Sequence, residues 1–506
     1  MERFFRVSLT LFTVLFVAAL FTVTGCSDDD NPADPNPTDT TGNNDTTGNN
    51  DTTGNGSTID DKVRPVVFVH GFIEAADVYT QMTQLFALNG YSDDQIHAFD
   101  LESYLSGSEP DITTMATQIS AKVDEVLSGT SEDRVDIVAH GAGVEALQHY
   151  LVNMNGTEKL AHVVFAGGRY DMGLTVSGDI TPDPCKYMTL RSDGADDLQN
   201  GNPSYGELQG ATNETLAGFD NLELVTHPDA FAKVHTFFTG SQPDVTTFPN
   251  PRPGDTYTVR ARVIDFIDNT PVAGMMVTVV NVRELSSGEI QRQSGAESFT
   301  TDQDGYFTYD ASLGPDHYTE FWIRSLTGDH FDMHIYVQPW RTDVGTLRLR
   351  MIPKSAGSAL LTDFSAAMRT GDHSIFLVFS QNTVLEEGDD NLVMARFDPE
   401  YESMGDVDVL TPGNAPAAGA GGAAGNTFML AVLDYDQNQQ DGTGPIQTSG
   451  LNTFGINSFD AYLAGKPTNH QTRITLNGRT IGAQNFASNG GLGSSNGGFS
   501  LIHFEY

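Results

Sequence analysis

The spacing of apolar residues predicts a doubly wound α/β domain followed by two all-β, sandwich-like domains. Three observations carry this expectation. Short, fully apolar runs at 66–69, 135–139 and 163–166 alternate with segments whose apolar residues recur at helical spacing. Past residue 256 the period changes to two, the mark of half-buried strands. Between the two patterns, 241–256 holds Pro243, Pro249, Pro251 and Pro253, which suits a stiff linker. At about 150 residues per domain, a chain of 506 residues allows roughly three domains.

Within 62–240, Arg64-Pro65 leads into Val66-Val67-Phe68-Val69 and then His70-Gly71-Phe72. A run bounded by Pro and Gly reads as a buried parallel strand. The segment 75–88 follows with Val78, Met82, Leu85 and Phe86 on one helical face. The unit recurs: a helix over 115–127, the strand Val135-Asp136-Ile137-Val138-Ala139, the turn His140-Gly141-Ala142-Gly143, and a helix over 144–152. A third run, Val163-Val164-Phe165-Ala166, ends at Gly167-Gly168, and Tyr187 to Leu190 is strand-like. Strands alternating with helices place a site at the strands' C-terminal ends.

Composition bounds the function. Lys and Arg total 26 against 67 Asp and Glu, a formal charge of −41. Such a surface repels phosphate backbones, which excludes nucleic-acid binding as a main function and docking on anionic headgroups by charge. Hydrophobic residues make up 39 % of the chain, enough to build cores. With two cysteines, Cys26 and Cys185, no disulfide framework is expected.

The N-terminus points to the cell envelope. Arg3 and Arg6 precede an apolar run over 7–23 that ends in Val23-Thr24-Gly25-Cys26. This resembles the lipobox of bacterial lipoproteins, which implies a signal peptide over 1–25 and acylation of Cys26, with palmitate-like chains holding the protein on a membrane. Ser27 resembles an outer-membrane sorting signal. The alternative is an ordinary anchor or secretory signal with an incidental cysteine. Residues 26–61 repeat Thr-Thr-Gly-Asn-Asn-Asp from Thr40, a composition that cannot bury enough surface to order itself, so they read as a tether.

Over 62–240 the motifs resemble the α/β-hydrolase fold, and more narrowly the bacterial lipases and esterases. His70-Gly71 is similar to that family's first oxyanion motif, and Ala139-His140-Gly141-Ala142-Gly143 to its Gly-x-Ser-x-Gly nucleophile elbow. Leu216-Ala217-Gly218-Phe219-Asp220-Asn221-Leu222-Glu223 is similar to the segment that supplies the triad histidine. The chemistry departs from the family at two positions. Gly141 stands at the nucleophile position and has no side chain. Asn221 stands at the histidine position and cannot shuttle a proton. The acid position falls among Asp193, Asp196 and Asp197, of which Asp196 is chosen. His140, His227 and His235 are candidates for a displaced base. The backbone N–H groups of Phe72 and Ala142 are the expected oxyanion donors.

The remaining chain divides into 257–352 and 353–506. The first resembles carboxypeptidase-regulatory-like β-sandwiches, with Asp302-Gln303-Asp304-Gly305 as a hairpin turn. The second carries strand-like runs at 374–379, 428–433, 472–476 and 499–504. No cofactor is expected. Asp434, Asp436, Asn438 and Asp441 are oxygen ligands of the kind calcium takes, but they lack EF-hand spacing. Two losses in one triad imply a lipoprotein with a non-catalytic, lipase-like domain that binds a lipid or ester ligand or a protein partner. The alternatives are a working carboxylic-ester hydrolase with a relocated catalytic group, or an adhesin whose β domains bind glycan or protein.

Overall fold

The computed structural model describes residues 63–72, 74–106, 109–169, 185–192, 207–250, 252, 254–285, 290–312, 317–354, 374–380, 392–397, 407–410, 429–433, 456–460, 463, 471–477, 479–484 and 499–504. The expectations for Cys26, the tether, the acid position at Asp196 and the calcium ligands Asp434, Asp436, Asn438 and Asp441 lie outside them.

A six-stranded, all-parallel sheet organises the first part. Its strands are β1 (Val66–Val69), β2 (Ile96–Phe99), β3 (Val135–His140), β4 (Leu160–Ala166), β5 (Lys186–Ser192) and β6 (Thr212–Leu216). Their order across the sheet is β2-β1-β3-β4-β5-β6. The chain starts in the middle, runs to one edge, and returns past β1 to the other, the doubly wound arrangement. β1, β3 and β4 are buried along their whole length because helices cover both faces, which is why they read as unbroken apolar runs.

On one face lie α2 (Ile112–Ser128) and α3 (Ala142–Asn153); on the other, α1 (Thr80–Leu88) and α5 (Pro228–Thr239), with the one-turn α4 (Glu223–Thr226) before α5. Asp111 caps α2 by accepting from the Thr113 and Thr114 N–H groups. The helix expected over 75–88 begins as a 3-10 turn, Ala76–Tyr79, before α1. α1 also departs from a simple amphipathic reading, since Thr80, Gln81, Thr83 and Gln84 on its polar side are buried.

What buries them is the β region. Strands β7 (Thr256–Asp265), β8 (Tyr306–Ser312) and β9 (Val344–Met351) form a three-stranded sheet in the order β8-β7-β9. Its inner face, with Ala261, Val263, Leu347 and Leu349, packs on a nine-stranded sheet that contributes Val277, Phe321, Ile335, Leu377 and Leu501. The far face of that sheet, including Val282, Phe376 and Ile502, packs on a four-stranded sheet through Met394, Ile474 and Ile481. Strands Met333–Val337 and Ile375–Ser380 flank Phe499–Phe504 in parallel, so segments from either side of residue 352 hydrogen-bond within one sheet. The Asp302 segment is a tight turn but not the hairpin expected: it joins Glu297–Thr300, which pairs with Met276–Glu284 in the nine-stranded sheet, to β8, which pairs with β7 in the three-stranded one. Asp302 Oδ1 accepts from the Asp304 and Tyr306 N–H groups, and Gly305 has φ +79°.

Outward-facing Thr346, Arg348 and Arg350 of β9 and Arg262 of β7 meet the α/β domain. Thr346 bonds Thr80 at 2.8 Å, Arg348 and Arg262 hold Asp100 at 2.8 and 2.6 Å, and Arg350 grips Asp77. Among the described residues no helix is long and apolar enough to cross a membrane.

Candidate functional site

The site forms where β1 and β3 end side by side. Past His140 the chain turns at Gly141, with φ +51° and ψ −123°, straight into α3. That backbone conformation favours glycine. A Cβ placed on Gly141 would meet nothing nearer than Gly71 Cα at 3.5 Å, so there is room for a side chain at the elbow. Gly143 has no such room: a Cβ there would lie 2.6 Å from the His70 carbonyl oxygen. The β1 loop therefore sits directly on the first turn of α3.

His70 fixes that loop. Its Nε2 accepts the Leu101 N–H at 2.9 Å, which places the proton on Nδ1, 2.8 Å from the Gly71 carbonyl. Burial lowers its pKa, so His70 is a neutral strut between the loops after β1 and β2. The expected oxyanion residues follow from the same geometry. Phe72 lies on the loop, 36 % exposed, and Ala142 opens α3. Among the described residues neither N–H has an acceptor.

Asn221 also comes to the elbow, but through its backbone. Asp220 and Glu223 exchange bonds, with the Asp220 N–H to Glu223 Oε2 at 2.9 Å and the Glu223 N–H to Asp220 Oδ1 at 2.7 Å. Ser192, at the end of β5, donates to the Phe219 carbonyl. The loop so held presents the Asn221 carbonyl 3.0 Å from His140 Nε2.

The residue that the sequence reading missed is Glu74. Its oxygens lie 2.8 and 2.9 Å from His140 Nδ1, and Oε2 also accepts the Gly71 N–H at 2.6 Å. His140 is 2 % exposed and Glu74 16 %. Burial, the largest influence on each, disfavours both charges, yet their mutual attraction prevails. The His140 pKa is raised and the Glu74 pKa lowered, with Asp220 adding to the imidazolium's favour. The two form an imidazolium–carboxylate pair beside Gly141. A ring donating from both nitrogens has no lone pair with which to take a proton.

The other candidate bases are engaged elsewhere. His227 caps α5, its Nδ1 accepting the Asp229 N–H at 3.1 Å, with its ring against Phe219. His235 packs among Phe86, Tyr91 and Phe231, with Nδ1 toward the Ser241 carbonyl. His162 is fully buried beside Asp136 at 2.7 Å. Cys185 is a buried thiol directed at the Thr157 and Leu160 carbonyls. Among the described residues no group of three or more His, Cys, Asp or Glu side chains could hold a metal.

The parallel sheet, the strand–turn–helix elbow and the apposed β1 loop define an α/β-hydrolase domain. Residues 63–163 match the family model of class 2 lipases, a span that takes in both the oxyanion loop and the elbow. Among solved structures, the chain is similar to the mature lipase BlEst2 of Bacillus licheniformis, at 16 % identity over 34 % of this chain and 90 % of that one, with a TM-score of 0.28. The propeptide form of the same lipase matches at 12 % identity over 84 % and 95 %, with a TM-score of 0.30. A predicted CIB-like hydrolase of Thermoplasma acidophilum matches at 14 % identity over 35 % and 87 %, with a TM-score of 0.29.

Proposed function

We propose that this chain is an envelope lipoprotein, anchored through Cys26 and sorted to the outer membrane, whose lipase-like domain binds a lipid- or ester-like ligand without hydrolysing it. The observation that carries the reading is the elbow itself. Acyl transfer in this fold needs a nucleophile with a base at its side. Here the nucleophile position is Gly141, and the imidazole beside it is held as a donor by Glu74 and the Asn221 carbonyl. The N–H groups of Phe72 and Ala142 are backbone donors that survive the loss of catalytic side chains, and they suit the carbonyl oxygen of a neutral acyl group.

The test is ester hydrolysis by the full chain in mild detergent, with short- and long-chain nitrophenyl esters. The native protein is expected to match buffer. Gly141→Ser/Asn221→His is expected to gain at least about a hundredfold over it, since serine and histidine act as a unit. Native turnover abolished by His140→Gln would overturn the reading and make the chain an esterase with a relocated group.

A further inference from the structure

We propose that Asn269, carried by the β region, is a positioning residue for the Glu74–His140 pair, so that one domain sets the charge state of the other's elbow. Asn269 occupies the tip of the turn after β7, at φ +59° and 3 % exposed. Its side-chain amide donates to two carbonyls of the α/β domain, that of Glu74 at 2.7 Å and that of Leu101 at 3.4 Å. One amide thereby ties the loop after β1 to the loop after β2.

The turn is rigid enough to act as a support. Asp268 Oδ1 accepts from the Thr270 N–H at 3.1 Å and its hydroxyl at 2.8 Å, and Asp265 Oδ1 accepts the Ile267 N–H at 2.8 Å. The Asp268 carbonyl accepts the Ser103 N–H at 2.9 Å, a second bond from the same turn to the β2 loop. Arg262 and Arg348 hold Asp100 beside it, and Asp100 Oδ1 accepts the Ala76 N–H at 3.0 Å. The β1 loop is thus pinned from the β region at Glu74 itself and, through Asp100, at Ala76 just beyond it.

Glu74 is the point where that support meets the site. Its carbonyl is held by Asn269 and its carboxylate by His140 and the Gly71 N–H. The groups facing His140 are Glu74 on Nδ1, the Asn221 carbonyl on Nε2, and the Asp220 carboxylate. Those facing Glu74 are His140 and, further off, His70. A charge-assisted bond depends steeply on placement, so a backbone shift of about 1 Å at Glu74 weakens its hold on the imidazolium.

The test is the titration of His140 in the full chain, followed by nuclear magnetic resonance of isotope-labelled histidine and assigned by loss of its signals in His140→Gln. Asn269→Ala removes the donor at the cost of some strain in the left-handed backbone. Asn269→Gly keeps the backbone freedom and removes the side chain. Thr80→Ala deletes a different interdomain bond, that to Thr346, as the control. Both Asn269 variants are expected to move the His140 midpoint down toward the ordinary imidazole value, with Thr80→Ala leaving it in place. A midpoint unmoved in both Asn269 variants would overturn the proposal, reducing Asn269 to a structural contact. So would an equal shift in Thr80→Ala.

Discussion

Two residues shape the elbow, Gly141 and Glu74, and only one was visible in the sequence. Gly141 was legible as the turn residue because the strand–glycine–helix pattern around it fixes where the elbow bends. Glu74 was not, because the acid lies 66 residues from His140 and no spacing rule joins them. The only available signal was an acidic residue four places past His70, in a loop destined for the elbow. The pair has a pH signature whose sign follows from its two shifts. His140, with a raised pKa, contributes stability fully below the ordinary imidazole value of about 6.5, and loses it as pH rises through the folded value. Glu74, with a lowered pKa, contributes above the ordinary carboxylate value of about 4.3, and loses it as pH falls through the folded value. The deficit of Glu74→Gln against the native chain is therefore expected to peak between those two values, at about 1–3 kcal/mol, and to shrink in alkali. Urea midpoints across pH measure it. A deficit independent of pH would mean that the pair is not ionised.

At the scale of elements, period two was read correctly and its consequence was not. Arg260 and Arg262 on β7, and Arg348 and Arg350 on β9, alternate with apolar residues, so each strand shows one apolar and one charged face. Alternation of that kind ordinarily means solvent on the charged side. Only Arg260 obeys, exposed and lying over the Tyr306 ring at 3.7 Å. The other three are buried against Asp77, Asp100 and Glu102, because a second domain covers that face. No pattern within β9 distinguishes a carboxylate-lined partner from water. Likewise, the polar residues of α1 gave no sign that Thr346 and Asp343 would meet them. Removing one member of such a pair strands the other. Arg350→Ala is expected to cost about 3–5 kcal/mol, since it leaves Asp77 buried and charged. Arg350→Met combined with Asp77→Leu is expected to recover most of that loss, because the desolvation penalty goes with the pair. Denaturant unfolding of the three proteins checks both; a double variant as unstable as Arg350→Ala would show that the pair's geometry, not its neutrality, matters.

The whole molecule behaves differently from its domain list. The composition break at 241–256 marks where the helical pattern ends, and the chain there does leave the α/β domain. It does not hang free: Val245 exchanges two hydrogen bonds with the Asn89 side chain, at 2.9 and 2.7 Å, and Phe248 packs on the core around α5. The described residues all fall in one compact unit, within which the arginine face of β7 and β9 meets the acids of the α/β domain. Asp77 and Asp100 lie on the α/β side with no exposure, and their counter-charges are all on the β side. Nearby charge holds the Asp100 pKa well below the carboxylate range against the opposing effect of burial, so its stabilisation is present above about pH 4 and fades as pH falls below that. A chain ended at residue 240 would keep both acids and lose every cation that faces them. It would also bare the Thr80–Gln84 face of α1. Such a fragment is expected to lack a cooperative thermal transition and to be digested by protease under conditions where the full chain resists. Supplying 241–506 as a separate chain is expected to restore resistance only while Arg348 and Arg350 are present. A fragment that folds alone with a sharp transition would make the interface an accessory, and the elbow independent of the β region.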